Sequence, residues 1–305
     1  MNIVVCVKPV PDISIISLDT DMGHIDGDDL VYIINPCDMV AVEKAVLMKE
    51  KDGVSQVTLV SMAPPSTKRL LRRCLAIGAD EAILLWDNSF DNSDSYTTAT
   101  ILAKAIGSLQ YDLVLCGQKA IDTEAGQVGG IIADMLGIPL VSRVVKVEAS
   151  PSSKEVVAES KLEKGNREQI GVILPALLTV EVELDELRYA SLPSLMASLK
   201  EDIKEYDLRA LGLSYEEVGS KGSKTRVVSL SLPKPRPKKL FTPDSSLPAA
   251  ERMRLVMSGG VTEKRKDLFE GSPKELSSKL VEFLKQTNIL GESKTIKGTQ
   301  EVEKA

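Results

Sequence analysis

The stretch QVTLVSMAPPSTKRLLRRCLAIGADEAILLW, residues 56–86, decides the fold. QVTLVSM (56–62) is a continuous apolar run of strand length, and Pro64-Pro65-Ser66 breaks it. TKRLLRRCLAIG (67–78) then carries Leu70, Leu71, Cys74, Leu75 and Ile77 at helical spacing and stops at Gly78, a residue suited to a helix end. AILLW (82–86) is a second apolar strand. Strand, helix and strand in this order make a βαβ unit, which lays two parallel strands side by side with a helix across one face.

The same plan recurs on both sides. IVVCVK (3–8) is a buried strand closed by Pro9 and Pro11, and a polar stretch from Asp19 to Asp29 reads as a loop or hairpin. VYIIN (31–35) is strand-like. Asn35-Pro36 opens a helix on which Val42, Ala45, Val46 and Met48 form an apolar face, with Asn35 or Asp38 as its cap. Asp94 or Ser95 can cap a helix through TTATILAKAIG (97–107), YDLVLCG (111–117) is a strand, and QVGGIIADMLG (127–137) is a helix ending at Gly137. IPLVSRVVKVE (138–148) returns to strand. The expected fold class is α/β, a mostly parallel sheet with helices on both faces and right-handed crossovers. Ligands of such sheets sit beyond the carboxyl ends of the strands. That directs attention to residues 8–14, 35–39, 61–66 and 117–128.

From Val156 to Leu184 the pattern shifts to strands around a Gly165-Asn166 turn, with alternation in TVEVEL (179–184), and predicts a small antiparallel extension. RYASLPSLMASLKEDIKEYD (188–207) supplies a loop with Pro193 and a short helix. PKPRPKK (233–239) reads as a stiff, extended connector. Beyond it, SLPAAERMRLVMSGG and SPKELSSKLVEFLKQ are helices, and the second shows a stripe of Leu276, Leu280, Val281 and Leu284 that must pack on something. The closing GESKTIKGTQEVEKA is polar enough to stay disordered.

Composition narrows the chemistry. The 305 residues hold 38 Lys+Arg against 44 Asp+Glu, a net charge of −6, which disfavours a polyanion such as nucleic acid as partner. No apolar run reaches the roughly 18 residues a membrane span needs, and the start lacks a signal-peptide pattern, so a cytoplasmic protein is expected. Cys6, Cys37, Cys74 and Cys116 include no Cys-x-x-Cys pair and read as small buried hydrophobes. The single histidine, His24, sits among turn residues and suits an exposed loop, which leaves neither a metal site nor a Ser-His-Asp triad. Lys68, Arg69, Arg72 and Arg73 read as a solvated helix face.

The richest loop is GQKAIDTEAGQVGG (117–130). Helix N-termini offer unpaired N–H groups and a positive dipole end to phosphate, and Gly126, Gly129 and Gly130 permit close approach. The loop is neither a GxGxxG fingerprint nor a P-loop. On its residues alone it is either a phosphate cradle or a tight strand-to-helix turn. Asp122 and Glu124 are either an acid–base pair or ordinary dipole complements. Asn35-Pro36-Cys37-Asp38 is a second helix start that could offer polar groups to a base or ribose.

Taken together, VVCVKPVPD (4–12), INPCDMVAVEKAV (34–46), LVSMAPPSTKRLLRRCLAIGADEAIL (59–84), GQKAIDTEAGQVGGIIADMLGIP (117–139) and LPALLTVEVELDELRYASLPSLMASL (174–199) resemble the beta subunit of electron-transferring flavoproteins over about residues 1–215. The resemblance implies a Rossmann-like domain that is the non-catalytic half of a heterodimer. The alpha subunit would carry most contacts to a redox-active FAD. Beta would hold an adenine nucleotide, either AMP or a second FAD, using Cys6, Val7, Lys8, Asn35, Asp38, Ser61, Met62, Ala63, Gly117, Asp122, Thr123, Glu124, Ala125, Gly126, Gln127 and Val128. Residues 188–200 resemble the family's recognition loop, with Leu192 and Leu195 as apolar anchors for a flavin dehydrogenase such as an acyl-CoA dehydrogenase. Cys37 and Ile13 stand where the family often has aromatic residues beside the flavin. The Gln-Val-Gly loop and Asp38 resemble the branch in which a second FAD splits the electron pair of NADH, although the Thr-Ala-Gln form of that branch is missing. Residues 216–240 would be a linker, 241–290 a helical arm packing on the alpha subunit, and 291–305 a tail. The alternative is a stand-alone nucleotide-binding or ATP-hydrolysing α/β protein of universal-stress type, with Asp122 or Glu124 as its metal carboxylate.

Overall fold

β-Branched and leucine-rich runs too short for helices form the strands, and the segments between them, punctuated by Pro, Asn, Asp and Gly, form the helices. The computed structural model describes residues 1–15, 30–149, 154–229, 242–257 and 271–286. His24, the Asp19–Asp29 stretch, the 233–239 connector and the 291–305 tail lie outside the described residues. In chain order the elements begin with β1 (Asn2–Cys6), β2 (Pro9–Pro11), β3 (Tyr32–Ile34), α1 (Pro36–Asp52), β4 (Gln56–Met62), α2 (Lys68–Ile77) and β5 (Glu81–Leu85). They continue with α3 (Ser95–Gly107), β6 (Leu113–Gly117), α4 (Val128–Leu136), β7 (Leu140–Ala149), β8 (Glu155–Lys161), β9 (Arg167–Ile173) and β10 (Ala176–Val180). The last are α5 (Leu192–Ser198), β11 (Lys204–Tyr206), α6 (Gly219–Gly222), α7 (Ala249–Met257) and α8 (Pro273–Gln286).

Nine strands make one mixed sheet in the order β11-β5-β4-β1-β6-β10-β7-β8-β9. All pairs from β11 to β7 are parallel, and β8 and β9 add the antiparallel extension. The pleat sorts β1 between two cores. Ile3, Val5 and Val7 pack under α1 and α2, whereas Val4 and Cys6 pack under α3 and α4. Covering both faces explains why the central strands read as unbroken apolar runs. Burying one Leu or Ile side chain of this kind stabilises the chain by about 1.5–3 kcal/mol.

Four expectations need correction. β3 does not enter the parallel sheet; it pairs antiparallel with β2, Val10 opposite Ile33, as a two-stranded flap beside α1. β10 is not part of the antiparallel extension. It lies between β6 and β7, parallel to both and buried at every position, because the apolar ALLTV run needs cover on two faces. The alternation in TVEVEL is strand only at Thr179 and Val180, the end of β10, since residues 182–184 form a 3-10 turn. β11, inside a segment expected to be loop and helix, is a short edge strand on β5 with Lys204 opposite Ile83. Three residues carry too little pattern to be read as a strand.

The chain divides into two compact units, Met1–Leu232 and Pro233–Ala305. In the second, Leu280 and Val281 on α8 and Met253, Val256 and Met257 on α7 are exposed.

Candidate functional site

The carboxyl ends of β1, β4 and β6 face the N-terminal ends of α1 and α4 around a cavity of about 570 Å³, a size suited to a nucleotide-like ligand. Its floor is a buried pair, Asn35 (1 % exposed) and Asp38 (6 % exposed), at the start of α1. Asp38 Oδ2 accepts the Lys8 backbone N–H at 2.8 Å. Its Oδ1 accepts the Gly117 N–H and the Asn35 Nδ2–H group, each at 3.0 Å. Asn35 Nδ2 also donates to Lys119 O at 3.0 Å, while Asn35 Oδ1 accepts the Ile121 N–H at 3.1 Å. The expected capping bond from Asn35 to its own helix is absent. The side chain is used across the pocket instead, so Asn35 just before α1 and Asp38 in its first turn fix the loops after β1 and β6. Burial pushes the Asp38 carboxyl up to about 7, against the pull of Asn35, Lys8 and Gly117 donating to it.

Gly117 is required by this crowding. A Cβ there would collide with Asp38 Oδ1 and approach the Cys37 Cβ to 2.8 Å and Asn35 Nδ2 to 3.1 Å. Gly126 turns the chain into α4 with φ +60°, a conformation other residues adopt only with strain. Gln127 makes no side-chain cap to α4. The first-turn N–H groups of α4 therefore have no capping side chain, and Gln127, Val128 and Gly129 line the cavity.

Of the residues singled out in the sequence, Cys6, Val7, Lys8, Met62, Ala63, Thr123 and Ala125 also line the cavity, with Asn35, Asp38, Gly117 and Gly126. Three others stand apart from its walls. Ser61 is wholly buried within β4 with an unpartnered hydroxyl. Asp122 pairs with Lys8 Nζ at 2.6 Å and Glu124 with Lys119 Nζ at 2.8 Å. The two carboxylates thus hold separate lysines rather than forming one acid–base pair. Gln118 Oε1 accepts the Thr179 hydroxyl at 2.5 Å and the Arg143 N–H at 3.2 Å, anchoring the start of this loop to β10 and β7.

All four cysteines are buried free thiols. Cys37 is turned inward, and burial pushes its thiol up despite N–H donation from Lys119 and Gln118. The neighbouring Cys6 thiol, together with burial, does the same to Cys116. Ile13, at the other position noted for aromatics, is 58 % exposed. Within the basic cluster, Lys68 pairs with Glu205 at 2.5 Å, and Arg69 and Arg73 are exposed.

One wall was missed. Trp86, Phe90 and the 91–95 segment line the cavity from the end of β5. The signal was available, because AILLW is a parallel strand whose carboxyl end had to face the same crevice. Thr225, also on this wall, had no sequence signal. The segment after α6 folds back so that Asp94 accepts the N–H of Lys224 at 2.7 Å, that of Thr225 at 2.8 Å and the Thr225 hydroxyl at 2.9 Å, while it caps α3 through Thr97 N. Burial opposes ionisation of Asp94, but these donors outweigh it and hold the carboxyl at about 2.

Residues 188–200 project elsewhere. Ser191 caps α5 by accepting the Ser194 N–H at 3.2 Å, and α5 packs on α2. Leu192 is 71 % exposed, whereas Leu195 is partly buried. Among the described residues no group of His, Cys, Asp and Glu could hold a metal ion, and no helix is long and apolar enough to cross a membrane.

Residues 24–211 match the model of the electron transfer flavoprotein domain. The chain is 37 % identical over 291 residues to an electron transfer flavoprotein subunit beta of Thermoanaerobacterium thermosaccharolyticum, covering 95 % of this chain and all of that protein. The C-terminal region therefore has a counterpart there. It is 37 % identical over 230 residues, 74 % of this chain and 86 % of the relative, to the caffeyl-CoA reductase-Etf complex subunit CarD of Acetobacterium woodii. A third relative, protein FixA of Azotobacter vinelandii, is 36 % identical over 247 residues, 78 % of this chain and 86 % of FixA.

Proposed function

The chain belongs to the electron transfer flavoprotein family as a beta-type subunit, and on that premise we propose that it is the nucleotide-holding half of a cytoplasmic heterodimer with an alpha subunit. Its role is electron transfer, and family membership decides against the universal-stress alternative. FAD, shared with the alpha subunit, supplies the redox chemistry when bound. The observation that carries the reading is the cavity at the strand ends with the uncapped start of α4 on its wall.

The residues present fit an adenine nucleotide, AMP or a second FAD. The first-turn N–H groups of α4 would take phosphate oxygens; Lys8 and Lys119 line the same cavity and would have to turn from Asp122 and Glu124 to reach them. Trp86, half-buried at the end of β5, offers an apolar face to a flat ring. Asn35 and Asp38 hold the loops in place, so little ordering remains to be done on binding. With a second FAD the complex would take its electrons from NADH and divide them between two acceptors; with AMP the nucleotide would be structural. The exposed Leu192, with Leu195 behind it, would dock a flavin dehydrogenase of the acyl-CoA type. The apolar faces of α7 and α8 would pack on the alpha subunit.

The test is to purify the chain with its natural partner, record the visible spectrum and identify released nucleotides by mass. Two FAD per heterodimer support the electron-splitting form, and one FAD with AMP supports the simple carrier. No flavin would sink the proposal.

A further inference from the structure

Glu43 is out of place by composition. It lies on the buried face of α1 among Val40, Ala41, Val42, Ala45 and Val46 and is 2 % exposed, where an aliphatic residue would pack without desolvating a charge. Its partner is Arg188, at the entrance to the 189–199 loop. Arg188 Nε donates to Glu43 Oε1 at 2.8 Å, and the Arg188 backbone N–H donates to Glu43 Oε2 at 3.3 Å. The rest of the guanidinium forks onto Glu50, two turns along the same helix, with Nη1 to Oε1 at 2.6 Å and Nη2 to Oε2 at 2.9 Å. One planar side chain thus meets both carboxylates with donors held in a fixed fork, a geometry a lysine ammonium does not preorganise. Three residues upstream, Asp185 pairs with Lys44 of α1 at 3.1 Å.

In the loop beyond, Ala190 packs against the core and Leu195 is partly buried, but the larger apolar side chains are mostly in solvent. Tyr189 is 99 % exposed, and Leu192, Met196 and Leu199 are exposed as well. Its orientation is therefore set at its base, by polar ties to α1, and by the contact of α5 with α2. Both helices start at the cavity, α1 with Asn35 and Asp38 and α2 after Ala63 and Thr67. We propose that Arg188 is a positioning residue, which by bridging Glu43 and Glu50 fixes the 189–199 loop in the same rigid frame as the nucleotide pocket. Its consequence for electron transfer rests on the docking role given to that loop above.

The test compares Arg188→Gln and Glu50→Gln with the unmodified heterodimer. Glu50→Gln leaves the buried Glu43 paired, so it serves as the well-folded arm if Arg188→Gln does not assemble. Hydrogen exchange of peptides spanning 189–199 should speed up about tenfold, with the flavin spectrum and nucleotide content unchanged. In turnover with a purified acyl-CoA dehydrogenase and its substrate as the probe, the KM for the dehydrogenase should rise several-fold at unchanged kcat. Unchanged exchange in every variant that assembles overturns the clamp. Faster exchange with an unchanged KM keeps the clamp and overturns the docking role of the loop.

Discussion

The pocket and the docking loop are built from opposite materials. At the pocket, main-chain groups converge on two buried side chains, and Gly117 N, Lys8 N and Ile121 N all donate to Asn35 or Asp38. On the loop, apolar side chains stand in solvent and long charged side chains hold the base. Backbone donors aimed into a protected site are already ordered and tolerate no added volume. The exposed side chains of the loop can be retuned one residue at a time, whereas the Arg188–Glu43 tie at its base is buried on the Glu43 side and is costly to break. The difference teaches that damage at the pocket should spread to folding, whereas damage on the loop should stay local.

The severest break of that contrast is Gly117→Ala. The added methyl has no room beside Asp38 and Cys37, so the cost should be about 3 kcal/mol or more, with loss of retained nucleotide. Thermal unfolding and nucleotide release after purification check it; a stable variant that keeps its nucleotide would mean the floor is not rigid.

Asp38→Asn tests the same floor through pH. The Asp38 carboxyl has an ordinary value of 3.8 and stands at about 7 in the folded chain. Between these values the folded chain holds a proton that the unfolded chain has released. Stability therefore falls as pH rises through that window, by up to about 4 kcal/mol from this group alone. Asn cannot titrate and cannot accept at both positions, so the variant should be less stable at pH 4 by about 1–3 kcal/mol. The gap to the unmodified chain should close as pH rises and reverse by pH 8, where the unmodified chain carries the buried charge and the variant does not. Melting curves at both pH values decide; a constant gap removes the titration from Asp38.

The smallest structural effect belongs to the loop. Leu192→Ala should leave the melting temperature unchanged and raise the KM for a partner dehydrogenase about fivefold to tenfold, as loss of an exposed anchor does. Leu195→Ala should also lower the melting temperature, because Leu195 is partly buried. A KM indifferent to Leu192→Ala would make the loop a structural feature only.

Much of the fold was legible because periodicity and punctuation agree. The 56–86 unit appears as β4, α2 and β5 almost to the residue, and Asp94 caps α3 as its position implied. β11 is too short to carry a pattern, and the place of β10 in the sheet was not legible for another reason. Which strand lies beside which is a long-range matter, and a five-residue apolar run looks the same at an edge or in the centre. The site divides similarly. The loop at 117–128 and the Asn35–Asp38 start stood out by composition, whereas Thr225 reaches the pocket only because Asp94 draws the 223–225 segment back across the sheet.

By itself the sequence determined the α/β class, the crevice at the strand ends and the family, since each depends on local pattern or on motifs read in order. Only the tertiary structure decided that the Asn35 side chain, instead of capping its helix, braces a distant loop and that Asp122 and Glu124 hold separate lysines. It also decided that Arg188 ties the docking loop to α1. These are pairings between residues as far as 145 positions apart. Hydrogen bonds and ion pairs act over a few ångströms, so such partners exist only once packing has set the backbones beside each other.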